Sequence, residues 1–193
     1  SKLSKKVPNF NHFNGNKNKG HGPSFVFAIR EGIKINPDFL LTLDGDGGIK
    51  PNSIASLIKY SMFSEADIVE GIRKDREDPM YRKTVTYLVR LLVFFKCRKF
   101  PQDGNTPVRV LKLATTKLVL EKLPKNSRIP NLLLSIVSRK EKLKIVGFDL
   151  QLDGLGELKS KGSTWENRWK RLPNMRFVRF CLFSFIEWIK MGR

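Results

Sequence analysis

Two aspartates one residue apart, Asp44 and Asp46, sit at the end of the apolar run Phe39–Leu43 and inside the glycine-rich stretch Leu43-Asp44-Gly45-Asp46-Gly47-Gly48. Paired carboxylates just past a strand can converge on one divalent cation. Mg²⁺ and Mn²⁺ are usually held that way, through one or two carboxylates plus the phosphates of a substrate. The carboxyl-terminal edge of an α/β sheet is also where ligands collect. Taken alone, the same residues are ordinary Asp-Gly turn chemistry. An EF-hand loop is excluded, because Ile49 stands where its glycine must be and Ala55 where its bidentate glutamate must be. Upstream, Asn18-Lys19-Gly20-His21-Gly22-Pro23 precedes a helix start and could cradle phosphate, but it has neither Walker spacing nor a full dinucleotide fingerprint.

The elements that must position these groups follow from pattern. Residues 1–22 are basic, Asn- and Gly-rich and without period, and read as loop. Ser24–Ile35 has helix character, and Phe39–Leu43 reads as a buried strand bounded by turn residues. Pro51 opens a helix over Asn52–Phe63, in the first-turn position that proline tolerates. Ala66–Ile72 reads as a strand and Met80–Lys96 as a helix. A short strand at Val108–Leu111, helices near Ala114–Leu123 and Pro130–Lys140, and a strand at Leu143–Leu150 complete the series. Helices alternating with strands predict an α/β sheet covered on both faces. Asp153–Ser163 reads as loop. On a helical wheel Arg176, Arg179, Glu187 and Lys190 share one face, opposite Val178, Cys181, Leu182, Phe185, Trp188 and Ile189. That arrangement suits either an interfacial anchor or a helix packed on its own domain.

The bulk numbers narrow the class. A chain of 193 residues suits one domain and can bury a core without disulfide or metal staples. Lys and Arg total 37 against 18 Asp and Glu, a net charge of +19, which favours polyanionic partners: nucleic acid, anionic lipid or phosphorylated substrates. Cys97 and Cys181 are far apart and have no metal-ligand spacing, so a disulfide framework or zinc site is not expected. Tyr87–Phe95 and Phe177–Ile189 are shorter than the roughly 20 apolar residues of a spanning helix and carry charges, so they read as interfacial.

Five segments in order, NKGHGPSFVFAIREGI, FLLTLDGDGGIKPNSI, ADIVEGIRKDREDPMYRK, QDGNTPVRVLK and IPNLLLSIV, resemble the family-two glycosyltransferases related to dolichol-phosphate-mannose synthase. The resemblance implies a GT-A-like (Rossmann-like) mixed α/β sheet flanked by helices. It also implies transfer of a sugar from a nucleotide-sugar donor to a polyprenyl phosphate, by an inverting, metal-dependent reaction. By resemblance, Asp44 and Asp46 match the Asp-x-Asp pair that contacts nucleotide ribose and Mn²⁺ or Mg²⁺. Gly20 matches the loop that precedes the first helix. Arg73 and Arg82 match arginines that neutralise donor phosphate, and Asp103 and Arg109 match the segment that shapes the sugar and acceptor site. The chemistry agrees: a metal and arginines aimed at the leaving diphosphate stabilise developing charge. A phosphate acceptor is already anionic, so no strong base is needed, consistent with histidines only at His12 and His21.

Residues 1–172 are thus expected to be the carboxyl-terminal portion of a GT-A domain, and 173–193 an amphipathic juxtamembrane-type helix. The expected location is the cytoplasmic face of a membrane, peripherally, against an anionic surface, with no nucleic-acid partner. The family's opening strand–helix units and Pro-x-x-Asn-Glu segment have no match here. The expectation is therefore a domain incomplete at its N-terminus, its other half or a membrane subunit supplied separately. Gly48 replaces a glutamine common in dolichol-type members, and the family's late Arg-x-x-Gly-x-Ser loop is degraded within Asp153–Ser163. Two other readings stand beside this one. A glycan or other hydroxyl acceptor would need a carboxylate base, for which Asp103 is the candidate. A non-enzymatic basic module binding nucleic acid or membrane would rest on charge alone.

Overall fold

The computed structural model describes residues 19–45, 48–73, 80–153 and 175–190. The element order is α1 (His21–Lys34), β1 (Phe39–Thr42), α2 (Pro51–Phe63), β2 (Ile68–Arg73), α3 (Met80–Cys97), β3 (Arg109–Lys112), α4 (Leu113–Lys122), α5 (Pro130–Lys140), β4 (Ile145–Leu150) and α6 (Met175–Lys190). This is the expected α/β architecture, a mixed sheet flanked by helices and consistent with a GT-A-like domain. The sheet order is β1-β3-β2-β4; β3 runs antiparallel to both neighbours, and β2 and β4 are parallel. Consequently β1, β2 and β4 all finish at the same edge, where β3 begins.

Register divides the sheet into two faces, because successive side chains alternate. One cross-strand row is Leu41–Val110–Val69–Val146, and α2 covers it through Leu57, with Ala66, Val108 and Leu150 completing the cluster. The opposite face carries Leu40–Leu111–Ile68–Ile145, and the row beside it is Thr42–Arg109–Glu70–Gly147. Over that face lie α3, α4 and α5, supplying Val93, Val119, Leu132, Leu133, Ile136 and Val137. Every residue of α5 from Pro130 to Arg139 is buried, so its polar members need internal partners. The Ser138 hydroxyl donates to the Leu134 carbonyl at 2.7 Å. Arg139 donates to the Ser135 hydroxyl at 2.6 Å.

Two expectations are corrected. α1 begins at His21 rather than Ser24, with Gly20 just outside it at φ 84°. Among the described residues β1 is an edge strand and not a buried one: there it pairs with β3 alone, and of its four residues Thr42 alone is buried. α6 divides the apolar side of the wheel, for which both an interfacial and a domain-packed role stand open. Cys181, Ser184, Glu187 and Trp188 face the domain, whereas Leu182, Phe185, Ile186 and Ile189 are about half exposed. The reason is polar anchoring. Trp188 Nε1 donates to the Leu92 carbonyl at 3.1 Å, Lys96 Nζ lies 4.5 Å over the Trp188 ring, and the Arg128 backbone N–H donates to Glu187 at 3.0 Å. Among the described residues no helix is long and apolar enough to cross a membrane. Residues 1–18 and the loop read over Asp153–Ser163 lie, beyond Asp153, outside the described residues.

Leu57 is fully buried where α2 meets the sheet. Leu57→Ala is expected to lose about 2–5 kcal/mol of unfolding free energy, read as a fall in the urea midpoint at unchanged slope.

Candidate active site at the carboxyl-terminal edge of the sheet

Three strands ending together bring the candidate residues to one edge. Past β1, the chain reaches Asp44, whose side chain is 37 % exposed. Its Oδ1 lies 3.9 Å from Nε2 of His21, the first residue of α1. Gly20 directly precedes that helix start, and its positive φ of 84° is a conformation glycine adopts without strain. Gly22, in the first turn, is needed for space: a Cβ there would stand 2.0 Å from the Ser127 carbonyl oxygen. The far side of the aspartate loop is stitched to the end of β4. Ile49 bridges to Leu152, Lys50 N–H donates to the Gln151 carbonyl at 3.1 Å, and Asp153 N–H donates to the Gly48 carbonyl at 2.9 Å. Asp46 lies outside the described residues.

The second cluster stands at the ends of β2 and β3. Arg73, the last residue of β2, clasps Asp103 with two bonds, Nε to Oδ2 at 2.7 Å and Nη2 to Oδ1 at 3.2 Å. Nη2 also donates to the Asn105 carbonyl at 3.2 Å, and the Asn105 N–H donates to Asp103 Oδ1 at 3.2 Å. Burial alone would push the Asp103 carboxyl up. The Arg73 charge and hydrogen bond, helped by the Asn105 N–H and by Arg109, outweigh it and hold the carboxyl below its ordinary 3.8. Gly71 is forced by this geometry, since a Cβ would meet Leu150 Cδ1 at 2.4 Å and Val108 Cβ at 3.2 Å.

Arg109 stands directly behind. It is fully buried, with Nε 3.2 Å from Glu70 Oε1. Its Nη1 donates to the Thr106 carbonyl and, at 3.3 Å, to Asn131 Oδ1; its Nη2 donates to the Asn131 carbonyl at 3.2 Å. Burial draws its pKa down, opposed by the Glu70 charge and hydrogen bond. Glu70 in turn accepts from Arg139 at 2.7 Å and 3.2 Å. Arg109 is thereby an interior group that bonds to the turn before β3 and to the first turn of α5. Arg82 lies in the first turn of α3, and its side chain is outside the described residues.

The structure thus joins Arg73 to Asp103, sets Arg109 behind them, and places Gly20 and Asp44 together beside His21 at the same sheet edge. Sequence reasoning did not find Glu70, Arg139 or Asn131. A glutamate inside an apolar strand run and an arginine ending an apolar helix were the available signals, since both demand buried partners. Nor did it pair His21 with Asp44, although His21 lies in the Gly-His-Gly start of α1. Among the described residues no three His, Cys, Asp or Glu side chains converge as a complete metal cage. An exposed carboxylate at a strand end nevertheless fits a hard cation that takes its remaining ligands from phosphate oxygens and water. Burial raises the thiol pKa of both Cys97 and Cys181, which disfavours the reactive thiolate.

No protein-family model matches the chain. It is similar to the UDP-N-acetylglucosamine–dolichyl-phosphate N-acetylglucosaminyltransferase of Methanococcus voltae, 23 % identical over 182 residues, 92 % of this chain and 68 % of that protein. The similarity supports the glycosyltransferase superfamily of GT-A, family-two type. It does not single out the mannose synthase member that the sequence segments resemble.

The Arg73–Asp103 pair carries a pH signature. A carboxyl held below its ordinary value contributes stability at neutral pH that is lost as pH falls through the depressed value. Arg73→Gln leaves Asp103 buried without its main partner and raises its pKa. The variant is expected to be up to about 3–5 kcal/mol less stable at pH 7, with the gap to wild type narrowing below the ordinary value of 3.8. Urea midpoints measured from pH 7 to pH 3 check both the size and the direction.

Proposed function

We propose that this protein transfers a sugar from a nucleotide-sugar donor to a polyprenyl phosphate at a membrane surface. What carries the reading is the arrangement of the sheet edge: one accessible carboxylate, Asp44, beside the amino end of α1, and a second, Asp103, immobilised by Arg73. A helix amino end with an adjacent metal-binding carboxylate suits a nucleoside diphosphate. The immobilised carboxylate argues about the acceptor. A general base works best with a pKa near the working pH, whereas Asp103 is held low and both its oxygens are engaged. An acceptor hydroxyl would find no free base in Asp103. A phosphate monoester brings its own anionic nucleophile.

In this reading Asp44 and Asp46 hold Mn²⁺ or Mg²⁺, which when bound neutralises the diphosphate as it leaves. Gly20 and the following N–H groups of α1 face the donor phosphates, and Arg82 adds positive charge from α3. Arg73 adds a second positive charge toward the donor phosphates while it immobilises Asp103, which shapes the sugar and acceptor pocket, with Arg109 positioning both from inside. An acceptor oxygen attacks the anomeric carbon from the side opposite the diphosphate. The new carbon–oxygen bond forms as the bond to the leaving phosphate breaks, the nucleoside diphosphate takes the electron pair, and the anomeric centre inverts.

The relative named above uses, by its name, UDP-N-acetylglucosamine and dolichyl phosphate. Donor choice here is read from a panel that includes UDP- and GDP-sugars. With the full-length protein in detergent, radiolabelled transfer to polyprenyl phosphate is expected to require Mn²⁺ or Mg²⁺. Asp46→Ala should lower it by at least about a hundredfold. Donor turnover onto glycans but never onto lipid would move the acceptor; metal-independent turnover unaffected by Asp46→Ala would sink the site assignment.

The exposed arc of α6 supports the membrane part of the reading. Leu182, Phe185, Ile186 and Ile189 point outward with Arg179 and Lys190 beside them, and neighbouring α3 exposes Tyr87, Leu88 and Phe95. An apolar stripe rimmed by cations is the pattern of a helix lying in an anionic lipid surface. Phe185→Ser with Ile189→Ser should weaken sedimentation with phosphatidylserine vesicles by about tenfold or more, since each buried side chain contributes about 1.5–3 kcal/mol. The soluble fold, followed by circular dichroism, should be unchanged.

A further inference from the structure

Glu70 lies within the segment ADIVEGIRKDREDPMYRK but has no role assigned by the resemblance, and Arg139 lies outside the quoted segments; yet both side chains end behind the sheet edge. Glu70 lies in the centre of β2 and is 2 % exposed; Arg139 closes α5 and is 9 % exposed. The Glu70 carboxylate is shared: Oε1 accepts from Arg109 Nε at 3.2 Å and from Arg139 Nη1 at 3.2 Å, and Oε2 accepts from Arg139 Nη2 at 2.7 Å. Arg139 is fixed a second time by the carbonyl and hydroxyl of Ser135, at 3.1 Å and 2.6 Å. What Glu70 orients is therefore the Arg109 guanidinium. That guanidinium spends its remaining donors on Thr106 and Asn131, gripping both the turn that carries Asp103 and the first turn of α5.

Alternatives within reach of Arg109 are poor. Among the described residues, the anion near it besides Glu70 is Asp103, already clasped by Arg73. A freed guanidinium would compete for that carboxylate and pull the turn inward. Three arginines, Arg73, Arg109 and Arg139, share two carboxylates, Glu70 and Asp103. Among the described residues of this cluster one positive charge is thus in excess, behind the edge where an anionic ligand would sit.

We propose that Glu70 and Arg139 are positioning residues of this site: they hold Arg109, and through it the 103–106 turn, in the geometry the transfer step uses. The inference rests on the transferase reading above, and its test separates the two. Glu70→Gln keeps the shape and removes the charge; Arg139→Lys keeps the charge and removes the two-pronged grip. In both variants kcat is expected to fall by about tenfold to a hundredfold. The donor KM should change less than kcat, because the donor diphosphate is anchored mainly at Asp44 and the amino end of α1. Hydrogen exchange should quicken at the N–H groups of Asn105 and Val108, which bond to Asp103 and Thr106, and remain slow in β4. Glu70→Asp, which restores the charge, should recover part of the loss.

A lower melting temperature with kcat per folded molecule and turn protection both unchanged would overturn the proposal, leaving the network a matter of stability alone. If Glu70→Gln does not fold, Arg139→Lys decides. If wild-type protein transfers no sugar at all, the transferase reading falls. Exchange at Asn105 and Val108 then still decides whether Glu70 holds the turn.

Discussion

A carboxylate buried between two arginines is the constraint on which the rest of this structure depends. Removing Glu70, Arg109 and Arg139 from water is costly, and such ions persist only where geometry and hydrogen bonds offset the loss. Here the offset comes from parts of the chain far apart in sequence. Glu70 comes from β2, Arg109 from β3 and Arg139 from α5, with Ser135, Asn131 and the Thr106 carbonyl as further acceptors. Each partner restricts the others, so the register of β2 on β3 and the rotation of α5 above them are fixed together. Purely apolar contacts such as Leu111 against Ile68 and Leu133 would tolerate a helix turned by some tens of degrees; directional bonds to one carboxylate do not.

That constraint explains which parts were legible beforehand. Alternation of helix and strand, and the loop after Phe39–Thr42, follow from local pattern, because apolar periodicity and Pro or Gly punctuation act within a few residues. The burial of Arg109 does not. Its motif resemblance marks it as a site residue, whereas cross-strand pairing to Glu70 turns it inward, and pairing is a relation between residues 39 apart. β1 was misread for a related reason. FLLTL looks like a strand buried on both sides, but continuous apolar runs cannot reveal whether a strand has one neighbour or two.

The orientation of α6 shows a further limit of periodicity. A wheel separates two arcs correctly and is silent on which one meets the domain. The apolar side is split: Cys181 and Trp188 turn inward, whereas Leu182, Phe185 and Ile189 stay outside. The Trp188 indole finds the Leu92 carbonyl, and Glu187 finds a backbone N–H, so the side that docks is the one with specific partners. Amphipathic residues gain on both counts at such a seam, burying ring surface while satisfying a polar group. The apolar arc left outside is then a property of the folded domain, visible only once the docking bonds are known.

The same seam ties the surface helix to the aspartate edge. Glu187 accepts from the Arg128 backbone, and the Arg128 guanidinium lies 4.4 Å over the Phe183 ring. The neighbouring Ser127 carbonyl is what leaves no room for a Cβ at Gly22. Gly22 in turn follows His21, whose ring reaches Asp44. Between α6 and Asp44 there is accordingly one short connecting segment in contact at both ends, and it includes the residue whose missing side chain permits the closest approach. Contact continuity is not coupling, which requires two arrangements that both ends bias. It does set a steric condition: any shift of α6 that carried the 127–128 backbone with it would press on the first turn of α1. The glycine at position 22 is therefore a packing requirement of the seam as well as part of the Gly-His-Gly start of α1.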